Sequence, residues 1–204
     1  MGEQFLKEGF SMDKIKTALE IALERANAIK VDSEKLLELD YVPQGKVLGA
    51  RFLSNNNFNL EEELRKFGPE ARPYVLRGLE DTFLSNLSLP RDEVSMQANR
   101  RCMEGLKLIK KNKAALKQVF QEIETLFQYY ARALEQTYVN LKEDFAARLL
   151  QAQRALGRQL GMRVNIDVER QPEFQEEWSR LRGQLSAQYE NILEEKRRYI
   201  RSLN

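Results

Sequence analysis

The longest regular pattern of apolar residues in the chain runs from Leu116 to Leu160. Apolar side chains recur there at steps of three and four residues, without a proline and with Gly157 as the first glycine. This spacing predicts one face of a single helix that is about 65 Å long. The face consists of Leu116, Phe120, Ile123, Phe127, Tyr130, Leu134, Tyr138, Leu141, Phe145, Leu149, Ala152, Leu156 and Leu160.

A second apolar stripe precedes this one, and Pro90 marks the start of the segment that carries it. A lysine-rich stretch that contains Asn112 separates the two stripes. Two arrangements fit the pattern, namely one continuous helix over residues 90–160 or two helices joined by a hinge near Asn112. The second stripe consists of Val94, Ala98, Cys102, Leu106 and Ile109.

A last helix is predicted over residues 172–203, since Pro172 opens a further stripe of apolar residues. Its acidic start and basic end suit an antiparallel hairpin with the long helix. Glu173, Glu176 and Glu177 then lie near Arg148, Arg154 and Arg158. The basic C-terminal turns approach Glu135 and Glu124. Opposite charges along two facing helices favour one relative orientation.

The remaining segments are shorter. Residues 1–11 are predicted as a tail and residues 12–89 as a cluster of short helices, with a break at Asp32 and a new start at Pro43. Residues 161–171 are predicted as an extended connector, since Met162–Val168 alternates apolar and polar residues. That segment either spans the gap alone or pairs with its copy in a dimer. The fold class is therefore all-α, an elongated antiparallel helical hairpin with one very long helix and a cluster of short N-terminal helices, in a single domain over residues 1–204.

The composition limits how the protein can bind partners and in which compartment we expect it. Charged residues make up 31% of the chain, but the net charge is only +2, so any electrostatic role must come from local clusters. The single cysteine rules out an internal disulfide framework. The sequence has neither an apolar stretch long enough for a transmembrane helix nor an apolar signal segment. We therefore expect a cytoplasmic protein that does not associate with a membrane.

The chain contains no histidine. This removes the commonest general base, the Ser-His and Cys-His pairs, and the histidine-containing zinc and di-iron sites. Cys102 lies on an apolar stripe and is predicted to be a buried structural thiol. Carboxylate pairs such as Glu20 with Glu24 are predicted to lie on solvated helix faces. We therefore expect no enzyme, no metal and no cofactor.

One basic cluster is the strongest local feature of the sequence. Residues 100–117 carry seven basic residues against one acidic residue, Glu104. Such a cluster can bind a phosphate backbone or an acidic protein, or it can be a solvated face that keeps the helices soluble. Its members are Arg100, Arg101, Lys107, Lys110, Lys111, Lys113 and Lys117.

Three segments carry a resemblance to known proteins. The strings TALEIALERA, YVPQGKVLGARFLS and MRVNIDVERQPEFQEEW together resemble an uncharacterised family of small bacterial all-helical proteins. The resemblance implies an all-helical fold and a bacterial source. It implies no activity, because that family has none assigned.

These observations favour a non-enzymatic scaffold or adaptor that binds a protein partner through helical surfaces, including coiled-coil contacts. The final helix is too short to cover the apolar stripe at about residues 113–128, so the N-terminal helices or another subunit must bury it. We expect a homodimer mainly for this reason. Tyr129, which lies off the stripe, is expected to widen the exposed face. The alternative is a protein that binds nucleic acid or the ribosome through the basic face at residues 100–117.

Overall fold

The computed structural model describes residues 17–160 and 167–203, and it shows no strand in those residues. The all-α fold with one very long helix is confirmed. The α-helices are α1 (Ala18–Ser54), α2 (Leu60–Arg65), α3 (Arg72–Asn86), α4 (Glu93–Ile109), α5 (Lys113–Leu160) and α6 (Pro172–Ser202). The tail over residues 1–11 lies outside the described residues.

Helix α1 begins at a capping box, in which Thr17 and Glu20 bind each other's backbone N–H groups. It then runs for 37 residues, so the predicted break at Asp32 and the new start at Pro43 are wrong. Proline inside a helix removes one hydrogen bond and is normally costly. Pro43 is tolerated because the second half of α1 packs closely on α3.

That packing depends on two glycines that face each other. A Cβ atom at Gly78 would overlap the carbonyl oxygen of Val42, and one at Gly45 would overlap the carbonyl oxygen of Val75. The backbones of α1 and α3 are therefore in direct contact at this crossing. One polar contact also joins α1 and α3 at this crossing, since the Thr82 hydroxyl lies 3.5 Å from the carbonyl oxygen of Lys46.

The segment over residues 90–160 forms two helices, so the hinge near Asn112 is the arrangement observed. Lys110 is extended, with φ −86° and ψ 143°, and Asn112 then caps α5 by accepting a hydrogen bond from the Ala115 N–H at 3.1 Å. Helix α4 folds back antiparallel on α5, which brings the Lys107 ammonium to 5.7 Å from the centre of the Phe120 ring. Cys102 and Leu106 of the α4 stripe thus lie in the same core as the start of α5, whereas Val94 of that stripe is exposed.

The antiparallel hairpin of α5 and α6 is confirmed by contacts along its length. Tyr138 lies against Phe174, Tyr130 hydrogen-bonds to Ser186 at 2.8 Å, and the Lys196 Nζ lies 2.7 Å from Glu122 Oε2. Residue numbers thus rise along α6 as they fall along α5. The basic end of α6 thus pairs with Glu122, and not with the predicted Glu135 or Glu124.

The acidic start of α6 behaves partly as predicted. Glu177 and Arg148 line the same shallow groove between α5 and α6. A hydrogen bond from Arg180 lowers the pKa of Glu177, and the charge of Arg148 lowers it further. The charge match at this end therefore combines a contact within α6 with one across the hairpin.

One core joins α1, α2, α3, α4, α5 and α6. The first turns of α5 lie inside it, including Leu116, Ile123 and Phe127. The apolar stripe at residues 113–128 is therefore buried within the chain itself. The reason given for a homodimer does not hold, although the dimer itself stays a prediction.

The connector between α5 and α6 is described only at its end. Most of Met162–Val168, which is predicted as a strand or an extended segment, lies outside the described residues. Val168–Arg170 forms a short 3-10 helix. Glu169 in that helix accepts a hydrogen bond from the Tyr138 hydroxyl at 2.8 Å and pairs with Lys142, which ties the connector to α5.

Candidate functional site

Arg101, a member of the predicted basic cluster, makes its contacts with other residues of the folded chain. Its guanidinium lies 3.6 Å from the centre of the Phe52 ring, and its Nε donates to the Phe52 carbonyl oxygen at 3.1 Å. Its Nη1 lies 3.0 Å from a carboxylate oxygen of Glu104. Arg101 thus binds carbonyl groups at the end of α1, where a cation is favoured by the helix dipole.

Lys110 also binds other residues of the folded chain, and its side chain is only 8% exposed. Its Nζ donates to the carbonyl oxygen of Leu203 at 2.6 Å and lies 3.3 Å from that of Arg201. It also lies 2.8 Å from Glu80 Oε1, a buried atom with no well-aligned hydrogen bond among the described residues. Lys110 therefore joins α3, the turn after α4 and the end of α6.

The other five members of the cluster lie on the surface. Arg100 is 3.8 Å from Glu93, and Lys113 donates to the carbonyl oxygen of Lys107. Lys107, Lys111, Lys113 and Lys117 surround the turn between α4 and α5, and we call this group the basic corner. The first turn of α5 contains no acidic residue, so the positive end of its dipole adds to the lysine charges.

A second surface lies on the first half of α1. We call residues 18–37 the α1 arm. Leu19 is 71% exposed, Leu23 is 56% exposed and Leu36 is 62% exposed. The contacts with α3 described above lie on the other half of α1, at Gly45 and Lys46.

Tyr129 lies off the apolar stripe of α5 as predicted, and it is exposed. Together with Leu126 and Ile192 it lines an open groove between α5 and α6, and the Lys196–Glu122 ion pair lies at the same groove. Lys196 lowers the pKa of Glu122 through this hydrogen bond and its charge. The groove is a shallow feature beside the long hairpin.

Cys102 is buried, as predicted. Burial raises the pKa of its thiol to about 12, which leaves almost no thiolate at neutral pH. Over residues 17–160 and 167–203, no three or more His, Cys, Asp or Glu side chains come together in a way that could hold a metal ion. No helix in the same residues is long and apolar enough to span a membrane.

The carboxylate pairs have structural partners. Glu20 belongs to the capping box of α1. Glu190 and Glu194 both bind Arg197, at 2.7 and 3.0 Å. Arg197 in turn donates to the carbonyl oxygen of Leu87, which links α6 to the end of α3.

The family model of a family of unknown function, DUF6657, matches residues 61–202, well over half of the chain. The protein belongs to the DUF6657 family. The match begins at α2 and runs to the end of α6, so α1 lies before it. Neither the curated proteins nor the solved structures that were compared with the chain gave a match.

Proposed function

We propose that this member of the DUF6657 family is a non-enzymatic helical scaffold of the cytoplasm, which binds a protein partner through the α1 arm and forms a homodimer. The observation that carries the proposal is the exposure of Leu19, Leu23 and Leu36 on one projecting helix. Large apolar side chains exposed together on a helix are typical of a site of protein interaction. Such residues can enter a coiled coil or a groove on another protein.

Capture of binding proteins from the cell of origin tests this proposal. We expect that Leu19→Lys with Leu36→Lys lowers the amount of captured partner about tenfold or more, because charges then replace two exposed leucines that the partner covers on binding. Quantitative mass spectrometry against the unchanged chain gives the ratio.

Val94→Lys is the matched control, since Val94 is 75% exposed on α4, outside the α1 arm. It is expected to retain the partner. If the double arm variant and the unchanged chain capture the same proteins in the same amounts, the α1 arm is not the binding surface.

Nucleic-acid binding is the second candidate, and the basic corner is the observation that favours it. Lys111 and Lys117 are exposed beside the N-terminus of α5, where they can contact phosphates. If this candidate is correct, RNA or DNA affinity falls steeply with salt, and Lys111→Glu with Lys117→Glu reduces the salt dependence. Lys35→Glu with Lys46→Glu, which changes exposed lysines on α1, serves as the control. Absence of binding at low salt removes this candidate.

A further inference from the structure

A shallow pocket of about 350 Å³ lies where α3, the turn between α4 and α5, and the end of α6 meet, and we call it the α3 pocket. Its apolar walls are Pro73 and Leu76 from α3, Ile109 from the end of α4, and Leu203. Leu76 and Ile109 pack against the core but are only partly buried, so both keep apolar surface toward the pocket. The volume is near the lower limit for ligand pockets and suits one or two side chains of a ligand.

Charged side chains complete the lining of the α3 pocket. Glu80 and Lys110 form the largely buried ion pair described above, and the Nζ of Lys110 also contacts two carbonyl oxygens. Arg77 on α3 and Lys111 in the turn are the exposed charged residues among the described residues of the lining. The charges that a ligand can reach at this pocket are therefore positive.

The contact of Arg77 with Glu38 leaves Arg77 available to a ligand. Nη1 of Arg77 lies 2.9 Å from Oε1 of Glu38, and the two side chains are 59% and 44% exposed. An ion pair this exposed is weak, because water and salt screen both groups. The guanidinium has several N–H donors, so it can bind a second carboxylate beside Glu38 or in its place.

Lys111 connects the α3 pocket to the basic corner, because it belongs to both. Lys107, Lys113 and Lys117, the other members of the basic corner, are also exposed. The N-terminus of α5 adds the positive end of its dipole. A ligand that enters the pocket and continues past Lys111 thus meets further positive charge.

The apolar walls between the cations distinguish two kinds of anionic ligand. Nucleic acid offers phosphates and flat bases, and sites that hold bases typically present aromatic rings. None of the described residues that line the α3 pocket is aromatic. A protein segment can offer an aliphatic side chain between carboxylates, which matches both the walls and the charges.

We infer that the α3 pocket binds an acidic segment of a partner protein, in which one aliphatic residue is flanked by glutamate or aspartate. The aliphatic side chain packs on Leu76, Ile109 and Leu203. The flanking carboxylates pair with Arg77 on one helix and with Lys111 in the turn. This surface is separate from the α1 arm, and binding to it does not depend on the proposed role of the arm.

Fluorescence anisotropy of the full chain with short labelled probes tests the chemistry of the ligand. The first probe is a peptide of one leucine with two glutamates on each side, and the second has serine in place of the leucine. At low salt the leucine peptide is expected to bind about tenfold more tightly, because serine leaves the apolar walls exposed to water. A five-residue thymidine oligonucleotide, which carries four phosphates, is expected to bind more weakly than the leucine peptide.

A pair of charge variants tests the site. Arg77→Gln with Lys111→Gln is expected to weaken binding of the leucine peptide about tenfold at low salt, because both reachable cations are lost. Arg132→Gln with Lys46→Gln is the matched control, since it removes one exposed arginine and one exposed lysine outside the pocket. The control is expected to change the affinity less than about twofold. Circular dichroism establishes that both variants are folded.

Photo-cross-linking locates the bound peptide independently of charge. A photoreactive analogue in place of the leucine is expected to link to residues 73–80 or 109–111, which line the α3 pocket. Mass spectrometry of the digested complex identifies the linked residues. Cross-links that lie only elsewhere would show that the peptide does not enter the pocket.

Four further results overturn the inference. They are no binding of the leucine peptide up to about 1 mM protein, equal affinity of the leucine and serine peptides, equal losses in the two charge variants, and tighter binding of the oligonucleotide. The last result would assign the basic corner to nucleic acid. None of these results bears on the α1 arm, which is tested by the capture experiment with Leu19→Lys and Leu36→Lys.

Discussion

Replacement of Lys110 with methionine is expected to lower the free energy of unfolding by about 3 kcal/mol. The side chain of Lys110 is 8% exposed and that of Glu80 is 18% exposed, so the change leaves a largely buried carboxylate without its cation. It also removes the donor to the Leu203 carbonyl oxygen at the end of α6. Urea unfolding followed by circular dichroism measures the loss.

Two further variants give this prediction its controls. Adding Glu80→Leu to Lys110→Met is expected to recover most of the loss, because no buried charge is then left alone. Lys111→Met, at the exposed neighbouring position, is expected to change the stability by less than about 0.5 kcal/mol. A loss below about 1 kcal/mol for Lys110→Met would show that Lys110 does not join the three elements.

The second large effect is expected at the crossing of α1 and α3. Gly78→Ala is expected to destabilise the protein by about 3 kcal/mol or more, because the new methyl group overlaps the Val42 carbonyl and forces the helices apart. The thermal unfolding midpoint and the urea midpoint should both fall.

Gly183→Ala is the matched control, since Gly183 lies inside α6 with open space around it. Alanine there is expected to stabilise the protein by about 0.5–1 kcal/mol, because glycine is costly within a helix. If Gly78→Ala does not fold, Gly49→Ala gives a milder case, since its added methyl group meets only the Thr82 side chain. Equal stability of the alanine variants at Gly49 and Gly183 would contradict close contact along this crossing.

The sequence was sufficient to predict α5 and its hairpin with α6. The apolar spacing from Leu116 to Leu160 is regular and lacks a helix breaker before Gly157, so local pattern and tertiary packing agree. The buried state of Cys102 followed from the same kind of pattern. The sequence could not decide between a continuous helix and a hinge near Asn112, because a run of lysines is compatible with both a helix and a turn.

The continuity of α1 could not be predicted in the same way. Asp32 and Pro43 are ordinary signals for the end or the start of a helix, and only the close contact of α1 with α3 overrides the proline. That contact pairs Gly45 with Gly78, 33 positions apart in the chain. Spacing within a single helix carries no information about such a pair.

Contacts between distant segments also decide which members of the basic cluster are available at the surface. Arg101 and Lys110 belong to the basic cluster by sequence, yet their partners come from distant segments, namely Phe52, Glu80 and Leu203. Both side chains are bound by other residues of the chain. The basic residues that remain available at the surface are therefore Arg100 and the basic corner. The exposure of Leu19, Leu23 and Leu36 depends on the length of α3, which the spacing of residues within α1 does not indicate.

Hydrogen exchange of the full chain at two protein concentrations, about a hundredfold apart, tests the central claim most directly. A solvated helix of this length is marginally stable by itself. Amides of residues 19–36 are therefore expected to exchange quickly at the low concentration and to become protected at the high one. Amides of residues 41–54, which pack on α3, should stay protected at both. Equal protection of residues 19–36 at both concentrations, or none at either, would contradict a homodimer that covers the α1 arm.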